Sequence, residues 1–138
     1  MTLALATELD EINQQFSAAL HALEAALRSD EPDLVDLGKR RTALARHARV
    51  RLNFIDGKLC PLLAAGPTPA HGAAARQLRQ RIGDIFAASN RHIGDWSSAD
   101  IAADWDGYRD ATRAMAAQVK ALLAMERRDV YPLLATAV

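Results

Sequence analysis

Residues 122–134 read Leu-Leu-Ala-Met-Glu-Arg-Arg-Asp-Val-Tyr-Pro-Leu-Leu, and residues 55–63 read Ile-Asp-Gly-Lys-Leu-Cys-Pro-Leu-Leu. Each stretch closes a long run with helical periodicity, and each ends in one residue followed by Pro-Leu-Leu-Ala. A proline inside a helix removes one hydrogen bond and tends to kink the backbone. The two matching endings predict a chain built from two similar halves, each of them a pair of helices.

Apolar residues recur at intervals of three and four along four segments, at about residues 3–28, 32–65, 69–93 and 99–135. No segment alternates with period two, so we expect no sheet. Gly66-Pro67 separates the second and third segments, and Ser97 or Ser98 is predicted to cap the fourth. Four long helices with short connections predict one all-α domain over residues 1–138, arranged as an up-down-up-down four-helix bundle.

The charge balance of the chain bears on its partners. Lys plus Arg and Asp plus Glu both number 17, so the formal net charge is zero. Phosphate binding depends on a basic surplus, and we therefore expect no nucleic-acid partner. The basic cluster on the second segment is interpreted as a solvated helix face. It contains Lys39, Arg40, Arg41, Arg46, Arg49 and Arg51.

The single cysteine and the N-terminal residues bear on the cellular compartment of the protein. Cys60 has no second cysteine with which to form an internal disulfide, and its apolar neighbours predict a packed, unreactive thiol. Residues 1–7 contain no basic segment of the kind that opens a signal peptide. No apolar run approaches the roughly 18 residues of a membrane helix. The sequence predicts a cytoplasmic protein without a membrane partner.

One carboxylate lies where the helical pattern predicts the core. The apolar seam of the last segment includes Tyr108, Met115, Val119 and Leu122, and the next position on it is Glu126. A buried carboxylate must be paired, hydrogen-bonded or protonated. His92 lies on the seam of the preceding segment and is one candidate partner for Glu126.

With these two endings and the seam, the chain resembles the hemerythrin-like (HHE cation-binding) family. The resemblance covers nearly the whole chain and implies a hemerythrin-like bundle of two helix pairs. In that family each pair supplies a His from its first helix and a His-x-x-x-Glu from its second, followed by a Tyr/Phe-Pro-Leu ending. Positions four apart share one helical face, so both side chains can reach a metal in the core. Imidazole and carboxylate together suit non-haem iron.

Only part of that ligand set is present in this sequence. Glu126 occupies the carboxylate position before Tyr131-Pro132, and His92 fits the first-helix His of the same half. His21 precedes His92 by the same interval that separates Cys60 from Tyr131, but it falls on the polar side of its helix. The remaining ligand positions are substituted, by Arg51, Ile55 and Leu122.

The substitutions predict a degenerate member of the family that has lost its di-iron site. Such a protein is not an enzyme and needs no cofactor, and Glu126 would pair with His92 or with Arg51. Its function would be that of a protein-interaction or signalling and stress module, with a protein partner or a second copy of itself. Aromatic residues anchor interfaces. The candidates are Trp96, Trp105, Tyr108 and Tyr131, with ordinary core packing favoured for Trp105 and Tyr108.

A working cation site is the alternative prediction. It would bind non-haem iron or another metal through His92 and Glu126, with further ligands such as His47 or Asp56, and would bind or sense dioxygen, nitric oxide or the metal itself. A metal-free enzyme is not expected, because the sequence shows no nucleophile with an adjacent base. A histidine-phosphotransfer domain is disfavoured, since it needs an exposed histidine and His92 lies on a packed seam.

Overall fold

The computed structural model describes residues 1–137, and all regular secondary structure in that range is helical. The elements are α1 (Leu3–Ala26), α2 (Leu34–Phe54), a π-helical turn (Ile55–Leu59), α3 (Cys60–Ala64), α4 (Pro69–Asp95), α5 (Ser98–Ala103), α6 (Trp105–Asp129) and α7 (Tyr131–Leu134). The predicted all-α class is therefore confirmed. Over residues 1–137, no helix combines the length and the apolar character that a membrane crossing requires.

Side-chain caps fix several helix starts. Asp33 Oδ1 accepts a hydrogen bond from the backbone N–H of Asp36 at 3.1 Å, so α2 begins two residues later than predicted. Ser97 and Asp100 form a reciprocal capping box at the start of α5, so Ser97 is the cap of the two candidates that the sequence offered, Ser97 and Ser98. These caps satisfy backbone donors that a helix start otherwise leaves unpaired.

The last predicted helix, residues 99–135, is divided into three helices, so its predicted continuity is wrong. Asp104 ends α5 and caps α6, where its side chain accepts a hydrogen bond from the N–H of Gly107 at 2.9 Å. A second break lets α7 begin one residue before Pro132. In the first turn of a helix the missing N–H of proline costs no helical hydrogen bond.

The predicted second helix, residues 32–65, runs from α2 into α3 but changes register at the π-helical turn. The N–H of Cys60 bonds to the carbonyl of Ile55, five residues back. Pro61 follows directly and lies in the first turn of α3. The two Pro-Leu-Leu endings therefore share one local structure, a proline in the first turn of a short terminal helix.

The long helices bury two hydrophobic clusters. Helix α1 packs against α2, α2 against α4, α4 against α6, and α6 against α1. The first cluster surrounds Phe16, Leu44 and Tyr108, and the second surrounds Ile55 and Leu78. A fully buried Leu, Ile or Phe side chain stabilises the fold by roughly 1.5–3 kcal/mol relative to exposure. The four long helices thus enclose an apolar core.

Three polar residues lie between these clusters. They are Asn13, Arg51 and Glu126. On its own helix, each has a member of the first cluster about one turn to one side and a member of the second cluster about one turn to the other side. The candidate site is built around them.

Candidate functional site

An ion pair between α2 and α6 occupies the interior where the two hydrophobic clusters meet. Arg51 is 1% exposed and Glu126 is 0% exposed. Both terminal nitrogens of the guanidinium face the carboxylate: Nη1 donates to Oε1 at 3.4 Å, and Nη2 donates to Oε2. Bidentate pairing of this kind is the strong form of an arginine–carboxylate contact. Of the two partners predicted for Glu126, the structure supplies Arg51 and not His92.

Asn13 and Tyr131 extend this pair across the interior. Arg51 Nε donates to Asn13 Oδ1 at 3.0 Å, and Asn13 Nδ2 donates to the Tyr131 hydroxyl at 2.9 Å. The guanidinium carbon of Arg51 also lies 5.9 Å from the ring centroid of Phe16, within range of a cation–π contact. We call Asn13, Arg51, Glu126 and Tyr131 the Arg51–Glu126 network. It joins α1, α2, α6 and α7, and each nitrogen of the guanidinium has an acceptor.

Burial governs the protonation of this network. It raises the pKa of Glu126, because desolvation disfavours the charged carboxylate, and the charge and hydrogen bonds of Arg51 oppose that effect. Burial also raises the pKa of Tyr131, and the Arg51 charge again opposes it. Arg51 places a cation within this network, and Glu126 is the carboxylate that pairs with it.

The residues at the positions where the resemblance implies metal ligands do not fit a pair of iron ions. Arg51 brings a fixed positive charge to one such position. Ile55, one turn later, is fully buried and has no donor atom. Leu122, one turn before Glu126, is half-buried and packs against the first hydrophobic cluster. Only Glu126 offers metal-binding oxygens, and the guanidinium already engages both of them.

His92 lies far from Glu126, so the structure does not bring these two predicted ligands together. Helices α4 and α6 run antiparallel: His92 Nε2 lies 2.9 Å from Thr112 Oγ1, whereas Arg81 pairs with Asp129 at 3.5 Å. His92 thus meets α6 fourteen residues before Glu126, which corresponds to roughly 21 Å along the helix. The α4 residues near the level of Glu126 include Leu78 and Ile82 of the second hydrophobic cluster, together with Arg81, whose positive charge favours the ionised carboxylate.

The other proposed ligands are also apart from the Arg51–Glu126 network. The His21 side chain is 69% exposed and contacts Glu24 at 3.7 Å. His47 is half-buried, and exposed Asp56 accepts a hydrogen bond from Arg79 Nε at 3.0 Å. Within residues 1–137, no three His, Cys, Asp or Glu side chains are grouped so as to hold a metal ion.

A second polar centre surrounds Tyr108 at the other end of the protein. The Tyr108 ring stacks with those of His92 and Trp105, at centroid distances of 5.3 and 5.9 Å. Arg41 lies 5.8 Å from the same ring and donates to the carbonyl oxygens of Ile93, at 2.8 Å, and of Trp96. Trp105 and Tyr108 are therefore core residues, as the sequence favoured.

Hydrogen bonding fixes the tautomer of His92. The Thr112 hydroxyl donates to the carbonyl of Tyr108 at 2.8 Å, so its oxygen accepts from His92 Nε2–H. Burial, followed by the neighbouring Arg41 charge, lowers the pKa of His92, while Asp95 opposes the shift. Both effects favour the neutral imidazole, and the contact with Thr112 favours the tautomer with its proton on Nε2.

Sequence analysis did not assign a role to three polar residues that the structure places in interior contacts. Asn13 borders the apolar stripe of α1, and only the cross-helix contact reveals its role. Arg41 is 9% exposed, and its interruption of the α2 apolar stripe was the available signal. His71 is buried and bonded through Nδ1 to Thr68 at 2.6 Å and through Nε2 to Thr136 at 3.0 Å. These contacts tie the start of α4 to the chain after α7.

The sequence predicted that the basic cluster on α2 forms one solvated helix face, and this prediction is wrong for part of the cluster. Arg41 and Arg51 are buried, and Arg40 pairs with Asp36 at 2.7 Å. The remaining basic residues, Lys39, Arg46 and Arg49, are exposed. Cys60 is buried, and burial raises the pKa of its thiol, as expected for an unreactive cysteine.

The fold and the site define an all-helical protein whose interior contains a hydrogen-bonded ion pair. Comparisons of the chain with protein-family models, with curated proteins and with solved structures found no match.

Proposed function

We propose that the chain is a degenerate hemerythrin-like four-helix bundle in which an ion pair takes the place of the metal centre. Its function is that of a non-catalytic protein-interaction module, of the signalling or stress-response kind, that acts through its helical surface. The observation that carries this proposal is the bidentate Arg51–Glu126 pair, because a guanidinium lies at a position where the resemblance implies a histidine ligand.

The directions of the helices support the up-down-up-down arrangement. Arg51 near the end of α2 bonds to Asn13 of α1, and Asp56 just after α2 bonds to Arg79 of α4. Lys120 of α6 bonds to Glu24 late in α1 at 2.9 Å. With the antiparallel α4 and α6, these contacts favour a ring of alternating helices. The shared structure of the two Pro-Leu-Leu endings favours two related halves.

The Arg51–Glu126 network also supports a structural role for the interior. A buried charge without its partner is strongly destabilising, so the pair favours the arrangement in which these two helices meet. The pair itself contributes little to the net free energy of unfolding. Arg51 lies in the first predicted half and Glu126 in the second, and their contact fixes the alignment of α2 with α6. A rigid scaffold of this kind suits presentation of a surface to a partner.

Metal analysis tests this proposal against a working cation site. The protein is produced in iron-supplemented medium, purified without chelators, and examined by elemental analysis and by absorption spectroscopy. We expect substoichiometric metal and no oxo-bridge absorption, with the same result for Glu126→Gln. Stoichiometric iron that is lost on Glu126→Gln would overturn the proposal and establish the cation site instead.

A further inference from the structure

An open groove runs along the outer face of α4 and α6. The part of the groove beside the C-terminal half of α4 has a volume of about 560 Å³. Its aliphatic lining consists of Ala87, Ala88, Ala111, Ala114, Met115 and Leu122, and Trp96 closes one end. A second depression shares Asp84 and Leu122 with the first and continues the groove towards Arg76. The groove thus follows most of α4, which has 27 residues and a length of roughly 40 Å.

Small residues form the exposed ridge of α4 beside this groove. A Cβ atom placed on Gly83 would meet no atom within 4 Å, so the isolated protein has room for a larger residue there. Ala87, one turn later, is also exposed. Glycine and alanine let the backbones of two helices approach closely, since the side chains at the contact set the interaxial distance.

Two exposed charges flank the centre of this ridge. Asp84 accepts a hydrogen bond from Gln80 at 3.1 Å, but within residues 1–137 neither Asp84 nor Arg91 forms an ion pair. They are seven residues apart and therefore lie on the same face of α4, two turns from one another. In sequence they are equidistant from the Ala87–Ala88 pair. A two-fold axis through that pair would bring each Asp84 opposite an Arg91.

We propose that the groove between α4 and α6 is a homodimer interface, occupied by α4 of a second copy of this chain. The two α4 helices pack antiparallel with Ala87 and Ala88 at the two-fold axis, and Asp84 faces Arg91 of the partner subunit. Such an isologous contact requires a self-complementary surface, and the symmetric placement of these opposite charges supplies it. The proposal rests on the proposed function, because it names the partner of the helical surface.

Two aromatic residues at one end of the groove fit this occupant. Trp96 is half-buried and lines the groove, so a second copy would cover the rest of its ring. His92 is 6% exposed and lines the same end, and its Nδ1 has no hydrogen-bond partner within residues 1–137.

Charge reversal on α4 tests the proposal. Sedimentation equilibrium of the full chain over a wide concentration range measures the dimer dissociation constant. Asp84→Arg and Arg91→Asp each place like charges opposite one another twice per dimer, and we expect each to raise the constant about tenfold. The double variant Asp84→Arg/Arg91→Asp exchanges the charges and should return the constant to near the wild-type value.

Matched variants far from the groove control for net charge. Asp10→Arg on α1 and Arg46→Asp on α2 alter exposed residues by the same charge and should leave the dissociation constant unchanged. Circular dichroism checks that every variant is folded. The proposal is overturned by a wild-type protein that stays monomeric at all concentrations, by single reversals that behave like the controls, or by a double variant that fails to recover. If metal analysis meanwhile finds no stoichiometric iron, only the dimer is rejected and the proposed function still stands.

Discussion

Arg51 and Glu126 lie 75 residues apart in the sequence and meet in the interior as a bidentate ion pair. The pair joins the last part of α2 to the last part of α6, each just before a proline-containing terminal helix. Its two charges have no access to water, so each depends on the other and on Asn13 and Tyr131 for compensation. Several consequences for stability can be measured.

Removal of the arginine alone should be strongly destabilising. Arg51→Met keeps a long apolar side chain but leaves the Glu126 carboxylate buried without a cation. We expect a loss of about 3–5 kcal/mol in the free energy of unfolding, measured by urea denaturation. A loss below about 1 kcal/mol, the range of exposed ion pairs, would show that the pair is solvated rather than buried.

The same variant should change the pH dependence of stability. Burial raises the pKa of Glu126 above its ordinary value of 4.5, and Arg51 is the main opposing influence, so Arg51→Met should raise that pKa further. When the pKa of a carboxyl group is higher in the folded state than in the unfolded state, its contribution to stability is complete at pH values below the unfolded-state pKa. That contribution is lost as the pH rises through the folded-state pKa. Urea denaturation from pH 4 to pH 8 should show Arg51→Met losing more stability on this rise than the wild type. Equal slopes for the two proteins would contradict the assignment.

His92 should make the protein less stable in mild acid. The pKa of His92 is lowered in the folded state from its ordinary value of 6.5. The contribution of His92 to folding stability is therefore complete above pH 6.5 and is lost as the pH falls towards the folded-state pKa. The groups that act on it are Arg41 of α2, Asp95 of α4 itself and Tyr108 of α6. The amide of His92→Gln can still donate a hydrogen bond to Thr112 but does not titrate. This variant should therefore lack the loss of stability that His92 causes below pH 6.5. An NMR titration that places the His92 pKa at or above 6.5 would refute the prediction.

Two glycines should respond in opposite ways to alanine. A Cβ at Gly66 would lie 2.5 Å from Cγ of His71, whose ring is held by hydrogen bonds at both nitrogens. Gly66→Ala should therefore destabilise the protein by about 1–3 kcal/mol.

Gly83→Ala is the matched control, because its Cβ meets no atom within 4 Å and alanine favours a helix. It should stabilise the monomer by about 0.5–1 kcal/mol. Thermal or urea denaturation at a concentration below dimer formation compares the two variants. Similar effects in the two would show that local helix propensity, and not the His71 ring, decides the outcome.

Periodicity in the sequence was sufficient to predict the helical class and the approximate extent of each helical run. It also identified Glu126 as a carboxylate on an apolar seam, and hence one that needed a partner. These features depend on neighbours within one helix, and a single sequence contains that information.

The partners across the interior could not be chosen in the same way. Asn13 and Arg51 reach Glu126 and Tyr131 because of the alignment of α1, α2 and α6, which periodicity leaves open. The offset between His92 and Glu126 has the same origin, since a shift of an antiparallel helix by a few turns keeps the same face buried. The break at Asp104 arises from its side-chain cap on Gly107, a local signal within an otherwise helical pattern.

The central claim is that an ion pair between Arg51 and Glu126 holds the interior, and a double-mutant cycle tests it most directly. The free energies of unfolding of the wild type, Arg51→Met, Glu126→Leu and the double variant are measured with and without a chelator. We predict a favourable coupling of about 2–3 kcal/mol, unchanged by the chelator, with the double variant more stable than either single variant. Additivity within about 0.5 kcal/mol, or a coupling that disappears when metal is removed, would contradict the account.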